Sequence, residues 1–224
     1  MKEELVQEHI LHKVDHPKPK KKDIRPYSHS EVKAMLDVIS HSKLYSRPGK
    51  RECSHSLPHV DRNKSILFLL LDTGIRASEL GNLRIHNVDV RNSRITVMGK
   101  GSKQRTIPSS PRTGQVLWRY LAQRKESTAE KFLFVTNQGR ILTRSRILNI
   151  MRTLGNRAGV NGVNVHRFRH TFAINYLRNG GDPYTLQIML GHSTMEMVKR
   201  YLSIAQADHD KNHKLASPVD NWRL

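Results

Sequence analysis

Apolar positions recur at three- and four-residue intervals over Val32, Met35, Leu36 and Ile39, just after a capping box formed by Ser28 and Glu31. That spacing predicts a helix starting at Ser28. A second helix is predicted over Lys64 to Asp72, around the apolar run Ile66 to Leu71. Strand-like alternation follows at Val88 to Val90, Arg94 to Met98 and Arg105 to Pro108, with a Gly-rich turn, Gly99-Lys100-Gly101-Ser102, before the last strand. Helical spacing resumes at Gly114 to Gln123 and Arg144 to Ala158, separated by a short apolar segment, Phe132 to Val135. The last third is punctuated by caps and breakers. Asn164 opens a helix to Arg178, which Gly180-Gly181 end. Asp182 with Pro183 opens a short helix to Leu190, and Gly191 breaks it. Ser193 with Glu196 reads as a second capping box, opening a helix that carries Tyr201. The pattern predicts a mainly α fold with a small antiparallel β-sheet, of the α+β class.

Charge narrows the function. The 224 residues carry a formal net charge of +20. Self-repulsion of that size opposes a compact chain unless an anionic partner absorbs it, so nucleic acid is the first expectation and an anionic membrane the second. The apolar run Ile66 to Leu71 is far too short to span a bilayer, and the N-terminus lacks the pattern of a signal peptide. A basic amphipathic helix with an aromatic apolar face, which a membrane-surface protein would need, is not legible either. Cys53 is the single cysteine, so no internal disulfide can form, which fits a reducing compartment. Residues 1–26, with Pro17-Lys18-Pro19-Lys20-Lys21-Lys22, read as a stiff basic tether. Residues 41–63 read as a polar, His-rich loop. Within it Cys53, His55 and His59 lack a convincing fourth ligand, so no metal site is assigned.

Several short motifs carry candidate chemistry. In His166-Arg167-Phe168-Arg169-His170, residues three and four apart share a helix face, so His166, Arg169 and His170 point together near a helix N-terminus. Free N–H groups and the dipole make that end a natural phosphate site, and a guanidinium adds bidentate donors. A solvated basic face would leave the same trace. A zinc-protease reading fails, because Arg167 stands where the Glu base belongs. In Thr73-Gly74-Ile75-Arg76-Ala77-Ser78-Glu79-Leu80, Arg76 closes a buried segment, where an unpaired guanidinium is costly. Glu79 can pair with it or orient it. Lys100 sits at a Gly-flanked hairpin tip. Leu190-Gly191-His192-Ser193 precedes Tyr201.

Each motif alone is weak, but their order is specific. Thr-Gly-x-Arg-x-x-Glu-Leu, then Gly-Lys-Gly, then His-x-x-Arg-His, then Leu-Gly-His, then the tyrosine of Tyr201 resembles the catalytic domain of the tyrosine recombinases, the phage integrase family, over about residues 26–205. The resemblance implies that fold. It makes Arg76 and Arg169 clamp arginines, Lys100 the hairpin lysine (a better match than Lys103), and His166 and His192 the two histidines. Tyr201 becomes the nucleophile, with Glu79 and His170 in support. The implied reaction is site-specific DNA recombination, integrating or excising a mobile element through a 3′-phosphotyrosine without metal, ATP or other cofactor. His166 is then the general base and Lys100 the acid. Double-stranded DNA is the implied partner, met by a homotetramer whose free form is monomer or dimer. The resemblance also admits accessory DNA-bending proteins and places the protein in the bacterial cytoplasm.

It further implies that residues 1–26 join an N-terminal DNA-binding domain to a catalytic domain over 27–205. Residues 206–224 form a C-terminal tail exchanged between protomers. Two alternatives share parts of the pattern. One is a topoisomerase-like nicking and closing enzyme. The other is a non-catalytic DNA-binding regulator that uses Asp182 to Tyr201 as a helix-turn-helix.

Overall fold

The computed structural model describes residues 25–40, 59–99, 101, 103–124 and 131–216, with side chains through residue 206. Lys100, Cys53 and His55 lie outside the described residues, as does most of the 1–26 segment. Helix α1 (His29–Ser40) opens on the expected box: the Ser28 N–H donates to Glu31 Oε2 at 2.8 Å and the Glu31 N–H to Ser28 Oγ at 3.1 Å. Helix α2 (Val60–Thr73) begins four residues before the predicted Lys64. Its first turn is polar and reads as loop, yet Arg62 is buried there and donates to the Val135 carbonyl at 3.1 Å. A contact across the fold, invisible to local pattern, extends the helix. Gly74 ends α2 in the left-handed region at φ 58°, which favours glycine. A short helix that the pattern did not predict follows, α3 (Ala77–Gly81).

The sheet forms where alternation placed it. Strands β1 (Val88–Asp89), β2 (Arg94–Met98) and β3 (Gln104–Pro108) pair antiparallel in the order β1-β2-β3. Ile95 faces Ile107 and Val97 faces Arg105, so Arg105 shares the inward face of β3 with Ile107. Helix α4 (Pro111–Gln123) starts three residues earlier than predicted, because the Ser110 hydroxyl accepts from the Thr113 N–H and Pro111 takes the first position. Helices α5 (Arg144–Ala158), α6 (Val165–Arg178) and α7 (Pro183–Leu190) match the predicted spans. Their caps are Thr143, Asn164 and Asp182. Helix α8 (Glu196–Ala216) starts later than its capping box implied. Met195, not Ser193, supplies the first carbonyl, accepting from the Lys199 N–H at 2.8 Å. Glu196 therefore stands at the first helical position and not the third. The helix runs unbroken past residue 205.

Helix α2 is the centre of the core and packs against α1, α4 and α6, while α6 packs on α8. Ile66, Leu67, Leu69 and Leu70 are all fully buried. The stretch Ile66–Leu71 is apolar on every side and is stable only when surrounded, and each such side chain contributes roughly 1.5–3 kcal/mol on burial. Among the described residues no helix is long and apolar enough to cross a membrane.

Candidate active site

The C-terminal end of α7 organises the site. The last carbonyls of a helix have no partner within it and carry the negative end of its dipole. Here three consecutive ones are each taken by a different arginine. Arg105 Nε donates to Met189 O at 2.8 Å, Arg169 Nη2 to Leu190 O, and Arg76 Nη2 to Gly191 O at 3.2 Å. Gly191 turns the chain away in the left-handed region at φ 62°. A side chain there would also press on Arg105, whose Nη1 lies 3.1 Å from an added Cβ.

Arg169 projects from the first turns of α6, where Asn164 Oδ1 caps the helix by accepting from the Arg167 N–H at 2.9 Å. It is buried, and its Nη1 donates to Gly74 O at 2.8 Å. Its Nη2 also lies 2.9 Å from His192 Nε2. A guanidinium has no acceptor, so His192 Nε2 is the acceptor and the imidazole proton sits on Nδ1. That Nδ1 is buried and has no hydrogen-bond partner among the described residues. Burial, then the positive charge of Arg169, Arg76 and Arg105, holds His192 down to about 4. It is neutral at pH 7. Burial and the neighbouring Arg76 also lower Arg169, to about 10, which leaves it charged.

Arg76 precedes α3, and Glu79 on that helix folds back beneath it. Glu79 Oε2 accepts the Arg76 backbone N–H and Oε1 its Nη1, each at 2.9 Å. Burial alone would push the Glu79 carboxyl up, but hydrogen bonds from Arg105 and Arg76 outweigh it and hold it below its ordinary value. Arg76 keeps 35% of its side chain exposed, whereas Glu79 keeps 5%.

Tyr201 lies on the inner face of α8 and is 1% exposed. Its Oη is 2.8 Å from His170 Nδ1, and its ring stacks near His192 at a centroid distance of 6.5 Å. Burial raises the phenol above its ordinary pKa, against the pull of Arg169 and Arg200. Burial, His166 and Arg169 hold His170 down to about 4, so it too is neutral. His166 is exposed at the mouth of a cleft lined also by His170, Arg200 and Met197. Desolvation by the cleft walls and the charges of Arg144, Arg169 and Arg76 lower it.

The structure thus joins Arg76, Glu79, Arg169, His170, His192 and Tyr201 in one connected cluster, with His166 at its edge. The hydrogen-bonded partner of the phenol is His170, the residue expected only to support, and not His166. Lys100 falls outside the described residues; the flanking Gly99 N–H donates to Lys103 O at 2.8 Å. Arg105 was missed as a site residue. The signal was present: strand alternation puts it on the same face as Ile107, and a charge on an apolar face needs a buried partner. No cluster of metal-ligating side chains occurs among the described residues, and His59 stands instead in the left-handed N-cap position of α2.

Residues 29–208 match the phage integrase family. The chain belongs to that family. Among similar curated members, a tyrosine recombinase XerC of Staphylococcus epidermidis is 31% identical over 206 residues, covering 91% of this chain and 65% of its own length. A XerC of Staphylococcus aureus is likewise 31% identical, with 91% and 64% covered. The chain therefore spans just under two thirds of the curated phage integrase family members it matches. Among solved structures, a XerA recombinase superposes with a TM-score of 0.69 at 29% identity, over 84% of this chain and 65% of that one. A XerH recombinase bound to a palindromic difH substrate gives 0.68 at 21% identity, covering 89% and 54%. At that identity XerH speaks for the shared fold alone, mainly helical with a small antiparallel sheet, and that architecture is what the hydrophobic pattern predicted.

Proposed function

We propose that this chain carries the cutting and rejoining chemistry of site-specific DNA recombination, integrating or excising a mobile element, with Tyr201 as nucleophile. The observation that carries the reading is the placement of a phenol, bonded to a neutral histidine, beside two arginines fixed by backbone carbonyls. Tyr201 Oη attacks phosphorus, forming a 3′-phosphotyrosine and releasing a 5′-hydroxyl. A 5′-hydroxyl from another strand reverses the step, so no phosphoester is lost to water and neither ATP nor metal is consumed.

A phenol ordinarily holds its proton up to a pKa of about 10 and needs an acceptor. His170 Nδ1 is within hydrogen-bond reach and is neutral, so it takes that role in preference to His166. Charge building on the nonbridging oxygens is met by Arg76 and Arg169, each such donor being worth about 3 kcal/mol in the barrier. The His192 Nδ1–H, which has no partner among the described residues, is a further donor for the same oxygens. Lys100, by resemblance, protonates the departing 5′-oxygen. At 1% exposure the phenol is out of reach of a duplex, so α8 must shift as DNA binds.

The net charge of +20 supports double-stranded DNA as partner, with phosphate contacts giving position and salt-dependent affinity but no sequence choice. The working unit is a homotetramer on DNA, monomer or dimer when free, in the bacterial cytoplasm. Residues 1–26 tether the 27–205 catalytic domain, and the 206–224 tail is exchanged between protomers. Accessory DNA-bending proteins assist assembly.

The test is a denaturing gel of the protein with nicked duplexes drawn from candidate element ends. The nick lets a short fragment leave and traps the covalent intermediate. An adduct that survives denaturation is the expected result. Tight binding with no adduct, on a chain extended by its N-terminal domain, would replace the enzyme with a DNA-binding regulator.

A further inference from the structure

Arg105 is a largely enclosed cation among protein partners. Its side chain is 10% exposed, and each of its three nitrogens donates to protein. Nε goes to Met189 O at 2.8 Å, Nη1 to Glu79 Oε1 at 2.9 Å and Nη2 to Glu79 Oε2 at 2.8 Å. Glu79 is thus held by a fork on both oxygens. Arg76 gets what is left: one side-chain bond to Oε1 and its backbone N–H on Oε2. The bidentate partner of the carboxylate is therefore not the exposed arginine but the hidden one.

The consequence is electrostatic. Two guanidiniums and one carboxylate leave one net positive charge, and Arg105, by saturating Glu79, leaves it on Arg76, the member 35% exposed. Without Arg105, Glu79 is a carboxylate with 5% exposure whose remaining ion-pair partner in this cluster is Arg76. A desolvated carboxylate draws the nearest guanidinium into a fork and cancels its charge. Arg105 also sits against Gly99, which follows β2, and against Gly191, beside His192. One side chain therefore fixes β3, α3 and the end of α7 relative to one another.

We propose that Arg105 is a positioning residue that occupies Glu79 so that the net positive charge of the cluster stays at Arg76, whose guanidinium remains aimed at the scissile phosphate. The inference rests on the recombinase reading above.

The test uses a nicked duplex on which the wild-type chain forms its covalent adduct, with single-turnover rates measured at saturating protein. Arg105→Lys keeps the charge but cannot fork, and slows adduct formation about 100-fold while leaving duplex affinity nearly unchanged. On the same duplex with a methylphosphonate at the scissile position, one of the negative charges that Arg76 must meet is removed, and the loss shrinks by about ten-fold or more. A merely structural defect slows both linkages equally. Arg105→Ala leaves a buried carboxylate uncompensated and can fail to fold; Arg105→Lys and the double variant Arg105→Ala/Glu79→Gln then decide. The double variant regains part of the rate lost in Arg105→Ala, because a neutral amide does not capture Arg76, and stays below wild type because Arg76 has lost the carboxylate that orients it. Wild-type rates in Arg105→Lys, equal losses on both linkages, or a folded double variant without recovery would each overturn the role of Arg105 alone. If the wild type forms no adduct on any duplex, the recombinase reading fails and this role fails with it.

Discussion

Tyr201→Phe separates the chemistry of the site from its packing. The ring of Tyr201 is 1% exposed and packs near His170 and His192 at centroid distances of 5.7 Å and 6.5 Å. Phenylalanine keeps all of that contact. What leaves is one oxygen and its 2.8 Å bond to His170 Nδ1. A net hydrogen bond of this kind contributes about 1 kcal/mol, rising toward about 3 kcal/mol if the abandoned nitrogen stays unsatisfied. For a chain of this size each kcal/mol moves the melting midpoint by about 2–4 °C. The expected variant is therefore folded, slightly less heat-stable and unchanged in duplex binding, yet unable to form any covalent adduct. Thermal melting followed by circular dichroism, a gel shift and the denaturing gel read these outcomes independently. An adduct that persists in Tyr201→Phe would refute the nucleophile assignment outright. A midpoint identical to wild type would refute the bond to His170.

Stability should depend on pH through two histidines. His170 and His192 are held to about 4 in the folded chain against an ordinary 6.5. The unfolded chain binds their protons first as pH falls, so stability is full above about 6.5 and declines toward about 4. Urea unfolding across that window checks this; a flat profile, or one that His170→Asn and His192→Asn leave unaltered, would contradict it. Gly74→Ala places a Cβ 2.5 Å from Phe172 Cδ1 and 2.9 Å from Leu190 Cδ2, at φ 58°. The combined strain and overpacking should cost about 2–4 kcal/mol in denaturant unfolding and disturb the carbonyl that holds Arg169, and a loss under about 1 kcal/mol would show that the turn relaxes freely. Arg169→Lys cannot reach Gly74 O, Leu190 O and His192 at once, so adduct formation should fall about 100- to 1000-fold, and a wild-type rate would remove Arg169 from the clamp.

Much of the fold was legible because its signals are local. The Ser28 box, the Asn164 and Asp182 caps, and Gly191 act within a turn of themselves, and the helices they bound appear where read. The β2 and β3 strands follow from alternation over five residues each. Local signals misled at α8, where Ser193 and Glu196 have capping-box spacing but Met195 supplies the first carbonyl. They were silent at α3, too short to show periodicity, and at the polar first turn of α2, which Arg62 secures from within.

By itself, the sequence determined the order of the motifs, the family and the residue types that meet a phosphate, because these are properties of neighbours along the chain. Tertiary structure alone decided which histidine holds the Tyr201 phenol, that the phenol is buried, and that Arg105 and Arg76 divide Glu79 between them. The reason is distance along the chain. His170 meets Tyr201 across 31 positions, Arg105 meets Glu79 across 26, and Arg105 meets Met189 across 84. No periodicity or cap connects such pairs. Only packing α6 against α8, and the sheet against the end of α7, brings their hydrogen-bonding atoms within 3 Å of one another.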